Sequence, residues 1–163
     1  MTDFDQLFIE NEGHPIRYKN KILMSFDEIK IEQNDVFEVN FESADSEWIQ
    51  GFMIQIKGHM LINNEITQKA AVFWVSTAPQ KFSFIVVPTK KEGSLIIKNT
   101  WDPFGDGSIH SWTMGAAMIR EDIPNGARYY CNDGHYDEDF DDLIFTIVKT
   151  KGTWEAQTLE VID

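Results

Sequence analysis

Apolar and polar residues alternate with a period of two along most of the chain, the spacing of a strand with one face buried. In "VFEVNF", Phe37, Val39 and Phe41 share one face while Glu38 and Asn40 take the other. In "QGFMIQIKG", Phe52, Ile54 and Ile56 align, and "KFSFIVV" repeats the pattern with Phe82, Phe84 and Val86. "AAVFWVS", "SLIIKN" and "DLIFTIV" are denser apolar runs, rich in β-branched and aromatic residues, and predict more fully buried strands. "TWEAQTLEVI" predicts a last strand pairing with "LIFTIV" through the Lys-Thr-Lys-Gly turn at 149–152. "SWTMGAAMIRED" is ambiguous: Trp112, Met114, Ala116 and Met118 alternate like a strand, Ser111 is a candidate helix cap, and Gly115 disfavours the helix.

Turn-forming stretches separate these runs: "ESADSE", "NNEITQ", "TAPQ", "PTKKEG", "DPFGDG" and "IPNG". Many short strands with turns roughly every ten residues predict an all-β fold, an antiparallel two-sheet β-sandwich of jelly-roll type. One domain over residues 1–163 is expected, with 1–34 the least legible part, an edge strand or a short helix.

Alternating chain direction has a consequence for charge. If each connection reverses the chain, loops 42–47, 101–110 and 132–141 fall at one pole and loops 59–69, 88–92 and 121–126 at the other. The first pole then collects Glu42, Asp45, Glu47, Asp102, Asp106, Asp133, Asp137, Glu138, Asp139 and Asp141, with no Lys or Arg. The second is near balance. Like charges at close range repel and raise one another's pKa, so a concentration of this kind calls for a counter-charge, most simply a bound cation.

Composition narrows the function classes. The chain has 27 acids against 14 bases, a net charge of -13, which disfavours sequence-independent binding to nucleic acid or anionic lipid. Cys131 is the sole cysteine, which excludes an internal disulfide and a cysteine zinc cluster. No apolar run approaches the ~20 residues of a membrane span. "MTDFDQLFIE" has acids where a signal peptide needs bases, so the cytoplasm is the default expectation, with export lacking a classical signal as the alternative.

Five candidate chemistries fall on the acidic pole. Asp137, Asp139 and Asp141 place carboxylates at alternate positions, suited to an oxygen cage for calcium completed from Asn132, Asp133 and Asp106. It is no EF-hand, because Asp142 stands where Gly is needed and Val148 where Glu is needed. Trp101, Trp112 and Tyr136, with Asp102, offer flat faces and a carboxylate to a carbohydrate. His110 and His135 with Asp106 and Asp133 are a looser set for zinc or iron. Cys131 with His135, or Ser108 or Ser111 with His110 and Asp106, can be drawn as a nucleophilic group, but neither has an elbow or oxyanion context, and a structural Cys131 is the simpler reading. The loop carboxylates supply acid–base pairs for a glycosidase without singling one out.

The run "DEDFDDLIFTI" resembles the acidic-aromatic signature that ends a calcium-associated β-sandwich domain of unknown function in large secreted bacterial proteins. Asp137, Asp139, Phe140, Asp141, Asp142, Leu143, Ile144 and Phe145 carry the resemblance. It implies a secreted setting and metal-dependent adhesion. The resulting expectation is a non-enzymatic recognition module that binds a calcium-like cation and a glycan. The alternative is an acidic inhibitor or immunity-type module that neutralises a basic protein, and a hydrolase stands third.

Overall fold

The computed structural model describes residues 2–157 and 160–162. It is nearly all β, as the alternation predicts, with one short helix, α1 (Phe4–Glu10). The strands are β1 (Ile16–Tyr18), β2 (Lys21–Leu23), β3 (Asp27–Glu32), β4 (Asp35–Ala44), β5 (Ile49–Ile62), β6 (Glu65–Trp74), β7 (Lys81–Pro88), β8 (Glu92–Asp102), β9 (Ala117–Ile123), β10 (Gly126–Asn132) and β11 (Leu143–Lys151).

Strands β1 and β2 form a small hairpin. All the others join one curled antiparallel sheet, ordered β3-β8-β5-β7-β4-β11-β10-β9, with β6 against β5. The long strand β5 makes the curl possible. Its first half pairs with β8 and its second half with β7, while β6 follows it throughout. The change of partner falls at a bulge around Gly58, whose φ of 145° and missing side chain let the backbone of Val87 and Pro88 pass against it.

Curling turns the inner faces of the strands onto one core. Phe37, Val39 and Phe41 of β4 meet Phe52 and Ile54 of β5, Phe84 of β7 and Phe145 of β11. Phe52 stacks on Phe145 at 4.4 Å between centroids, and Phe37 on Phe84 at 5.2 Å. The two ends of the strand path are tied together. Met24 bridges Met118, and Arg120 of β9 reaches Asp27 of β3 through one nitrogen, 2.9 and 3.0 Å from the two carboxylate oxygens. The buried Tyr129 hydroxyl donates a third bond to Asp27 at 2.6 Å.

Three expectations need correction. The described residues of "TWEAQTLEVI" do not pair with β11, because β4 and β10 already occupy both edges of that strand; Thr158 and Leu159 lie outside the described residues. Residues 155–157 instead run along β3, where the Lys30 amide donates to the Glu155 carbonyl and the Gln157 amide to the Glu28 carbonyl, and Ile162 bridges Ile16 of β1. Within "AAVFWVS", β6 is not a more fully buried strand: it lies at the margin of the sheet and only Phe73 is buried. Strand β9 begins only at Ala117, and Trp112 and Met114 before it have left-handed φ values of 55° and 57°, incompatible with the alternation read there.

Residues 2–26 form α1, the β1–β2 hairpin and their connections. Phe4, Phe8, Ile16 and Leu23 make a second, smaller core against Ala117 and Phe140, on the side of β9 opposite Met118.

Candidate functional site

The segment between β10 and β11, residues 133–142, is bound tightly to its surroundings at its start. Asn132 is fully buried and donates its amide hydrogens to the Gly115 carbonyl at 2.8 Å and the His135 carbonyl at 3.2 Å. Gly115 permits this approach, since a Cβ there would collide with the His135 carbonyl. Asp133 has no solvent exposure and accepts four hydrogen bonds: from Ser46 Oγ (2.7 Å), Gln50 Nε2 (2.9 Å), the His135 amide (2.9 Å) and His135 Nδ1 (2.7 Å). The His135 ring stacks on Trp48 at 3.8 Å, and its Nε2 faces Glu47 at 3.3 Å. Burial works against the imidazolium, but Asp133 and the nearby Asp142 and Asp137 outweigh it and raise the His135 pKa.

The far half of the loop is shaped by the N-terminal segment. Phe140 has a φ of 55° and drops its ring into the small core beside Phe4, with Lys21 Nζ 5.3 Å from the ring centroid. Glu138 has the same φ and meets Lys19 at 3.5 Å. These two left-handed residues fold the chain so that three carboxylates converge. Asp137, Asp139 and Asp142 each place an oxygen within 4.8 Å of the others.

Asp142 is 2% exposed and accepts the Asp133 amide at 2.9 Å. Burial, with the charges of Asp133, Asp137 and Asp139, pushes its pKa to about 8 although that amide pulls the other way. Asp137 is raised by its partial burial and by Asp139, and Asp141 by partial burial, Asp139 and Asp45. Asp141 Oδ1 is buried without a hydrogen-bond partner. Carboxylate oxygens crowded to this degree, one of them holding a proton near neutral pH, could hold a hard divalent cation.

Loops 42–47 and 132–141 meet directly. The Asp45 amide donates to the Asp142 carbonyl at 3.0 Å, and Ser46 and Glu47 touch Asp133 and His135. Loop 101–110 joins them through Trp101, stacked on Trp48 at 6.4 Å and lying close under Gly134. The pole is not free of bases, as the loop count predicted. Lys19 reaches Glu138, and Arg128 pairs with Glu42 and, at 2.6 Å, with Glu121.

The predicted residues divide accordingly. Asp137 and Asp139 converge, Asp141 adjoins them, and Asp133 and Asn132 lie beneath them, occupied with holding the loop. Asp106 stands apart from the group of three, its carboxylate accepting the Ser108 amide and hydroxyl. Asp102 spends both oxygens on the amides of Phe104, Gly105 and Gly107, so it organises its own loop. Trp101 is 1% exposed and its ring has no face for a sugar. Tyr136 is tied to Asp3 through its hydroxyl, and Trp112 lies against α1, where it lines a depression with Phe8 and Phe26. Cys131 is in the core, where burial and then Asp142 push its thiol well above 9 and remove thiolate character. His110 lies beside Phe104, while Ser108 Oγ is directed at Asp106 and Asp102.

The sequence assigns no site role to Ser46, Trp48 or Gln50, and it names Asp142 and Phe140 only within the run that carries the resemblance, not as site residues. Asp142 sits next to a hydrophobic run and reads as a strand residue, yet six acids between 133 and 142 followed by that run already placed one carboxylate at the core boundary. Compared with known proteins, the chain matches no protein family, no curated protein and no solved structure.

Proposed function

We propose that the protein is a binding module of β-sandwich form, β5 turning the corner between its two layers, whose acidic pole holds a calcium-like divalent cation. Asp137, Asp139 and Asp142 are the ligands, Asp141 is the adjacent carboxylate, and Asp133 positions the loop. The carrying observation is the convergence of three carboxylates within 4.8 Å around a buried Asp142. An all-oxygen set on an irregular loop suits the many-coordinate, tolerant geometry of calcium better than the strict octahedron of magnesium.

A melting curve in calcium against chelator tests the reading. At a calcium concentration a hundredfold above Kd, binding adds about 2.7 kcal/mol, and at roughly 2–4 °C per kcal/mol for a chain of this size the midpoint rises ~5–10 °C. The double variant Asp137→Asn, Asp139→Asn removes two ligands and abolishes the rise. If wild type melts identically in calcium and chelator, no such site exists. One observation favours a second reading, a basic protein partner: Glu47, 81% exposed, lies with the exposed Asp137 and Asp139 on a chain of net charge -13. That reading requires salt-sensitive capture of a basic protein with no calcium response.

A further inference from the structure

The outer face of β8 and β5 carries a feature unrelated to the acidic pole. Two depressions lie along it, about 370 and 810 Å³ in volume. Both are lined by Gln55 and Ile96, so they form one trough. At one end stand Trp112, 45% exposed with its left-handed backbone, and Phe26. At the other end are Lys57, Lys69 and Lys90. The floor follows β8 from Lys98 to Glu92, about 20 Å at the strand rise of ~3.3 Å per residue.

The lysines are conspicuous because acids outnumber bases two to one in this chain. Elsewhere Lys19, Lys30, Lys81, Lys149, Arg120 and Arg128 have acidic partners, while Lys21, Lys91 and Lys151 pair with no acid among the described residues. None of the four lysines that line the trough, Lys57, Lys69, Lys90 and, at the Trp112 end, Lys98, pairs with an acid among the described residues, although Glu12, Glu28 and Glu92 line the same walls. The walls also carry Gln55, Gln68, Thr89 and Ser94, uncharged donors and acceptors whose side chains make no hydrogen bond within the described protein.

We infer that this trough binds a linear acidic oligosaccharide, a short chain of pyranose rings bearing carboxylates. The exposed indole stacks on a ring face, the free amides and hydroxyls match sugar hydroxyls, and the lysines meet the carboxylates. An acidic peptide fits less well. An extended peptide gains its affinity by adding to a free strand edge, and both floor strands are paired on both edges, β8 with β3 and β5, and β5 with β8 and β6. Recognition here falls to side chains alone. The trough does not depend on the cation reading.

Binding is measured by amide NMR titration in chelator, which leaves the acidic pole out of the experiment. The probes are tetragalacturonate, its neutral methyl ester and a hexaglutamate peptide. Tetragalacturonate shifts the amides of β8 and β5, and the ester binds about tenfold more weakly. Trp112→Ala, and separately Lys57→Gln with Lys90→Gln, each weaken binding about tenfold with the melting temperature held. The lysine pair is solvent-exposed, so it keeps the test valid if the tryptophan variant folds poorly. The inference is overturned by the absence of shifts at millimolar tetragalacturonate, by equal affinity for the ester or for hexaglutamate, or by shifts confined to another face.

Discussion

Asp133→Asn replaces one carboxylate oxygen by an amide group and leaves the volume of the side chain unchanged. The wild-type carboxylate accepts two bonds on each oxygen, from His135 on Oδ1 and from Ser46 and Gln50 on Oδ2. Asparagine keeps one acceptor, best spent on the His135 amide and ring. Its amide then faces Ser46 and Gln50. The Ser46 hydroxyl can rotate and accept. Gln50 cannot follow without giving up the bond from Nε2 to the Trp48 carbonyl at 3.2 Å, so one donor–donor contact remains at a site closed to water. Losing a hydrogen bond to a buried charge costs about 1.5–3 kcal/mol. Relief of repulsion with Asp142 offsets little, because Asp142 holds its proton at neutral pH when no cation is bound. The expected net loss is about 2 kcal/mol, or a melting midpoint roughly 4–8 °C lower for a chain of this size. NMR titration of His135 supplies the second readout: without its carboxylate partner the imidazole loses its raised pKa and titrates at lower pH. A variant that melts with wild type and leaves His135 unchanged would show that Asp133 does not anchor the loop.

Two further outcomes follow from the same geometry. In chelator, stability falls as pH rises from about 4 to about 8, because folded Asp142 retains a proton that the unfolded chain, near 3.8, releases; the stability tied to His135 is present below its ordinary 6.5 and is lost as pH passes its raised folded value. Saturating calcium displaces the Asp142 proton and flattens the slope, and a midpoint that climbs with pH in chelator would contradict the assignment. Phe4→Ala empties a fully buried site in the small core and costs about 3–5 kcal/mol locally. Calcium affinity, read by calorimetry, should drop with it because Phe140 loses its seat, while far-ultraviolet circular dichroism keeps the strand signal of the main sheet; unchanged affinity would separate the loop from the N-terminal segment.

What the sequence disclosed and what it hid divide along a physical line. Where a strand is half buried, burial itself writes the period of two, and β4, β5 and β7 were legible from it within a few residues of their ends, while β8 and β11 were legible from their dense apolar runs. Partner choice leaves no such mark. The tail "TWEAQTLEVI" has strand-like composition, but whether it meets β11 depends on a free edge, and β10 had already taken it. The dense run in β6 looked interior because its residues are apolar, yet only Phe73 turns inward and the strand ends the sheet.

The acidic pole shows the same division at the scale of single residues. Antiparallel reversal alone predicts that loops 42–47 and 132–141 lie together, and they do. Which carboxylates face one another depends on dihedral signs. An extended loop would align Asp137, Asp139 and Asp141. Left-handed Glu138 and Phe140 break that alignment and bring in Asp142. Neither residue is a glycine or an asparagine, so no local preference announces the turn. The conformation is held by Lys19 and by a phenylalanine pocket built from residues more than a hundred positions earlier. The least readable stretch of the chain is therefore the one that shapes its most conspicuous motif. A change in the N-terminal segment should alter the carboxylate geometry more than a change of charge within loop 101–110, whose Asp102 and Asp106 are occupied with their own turn.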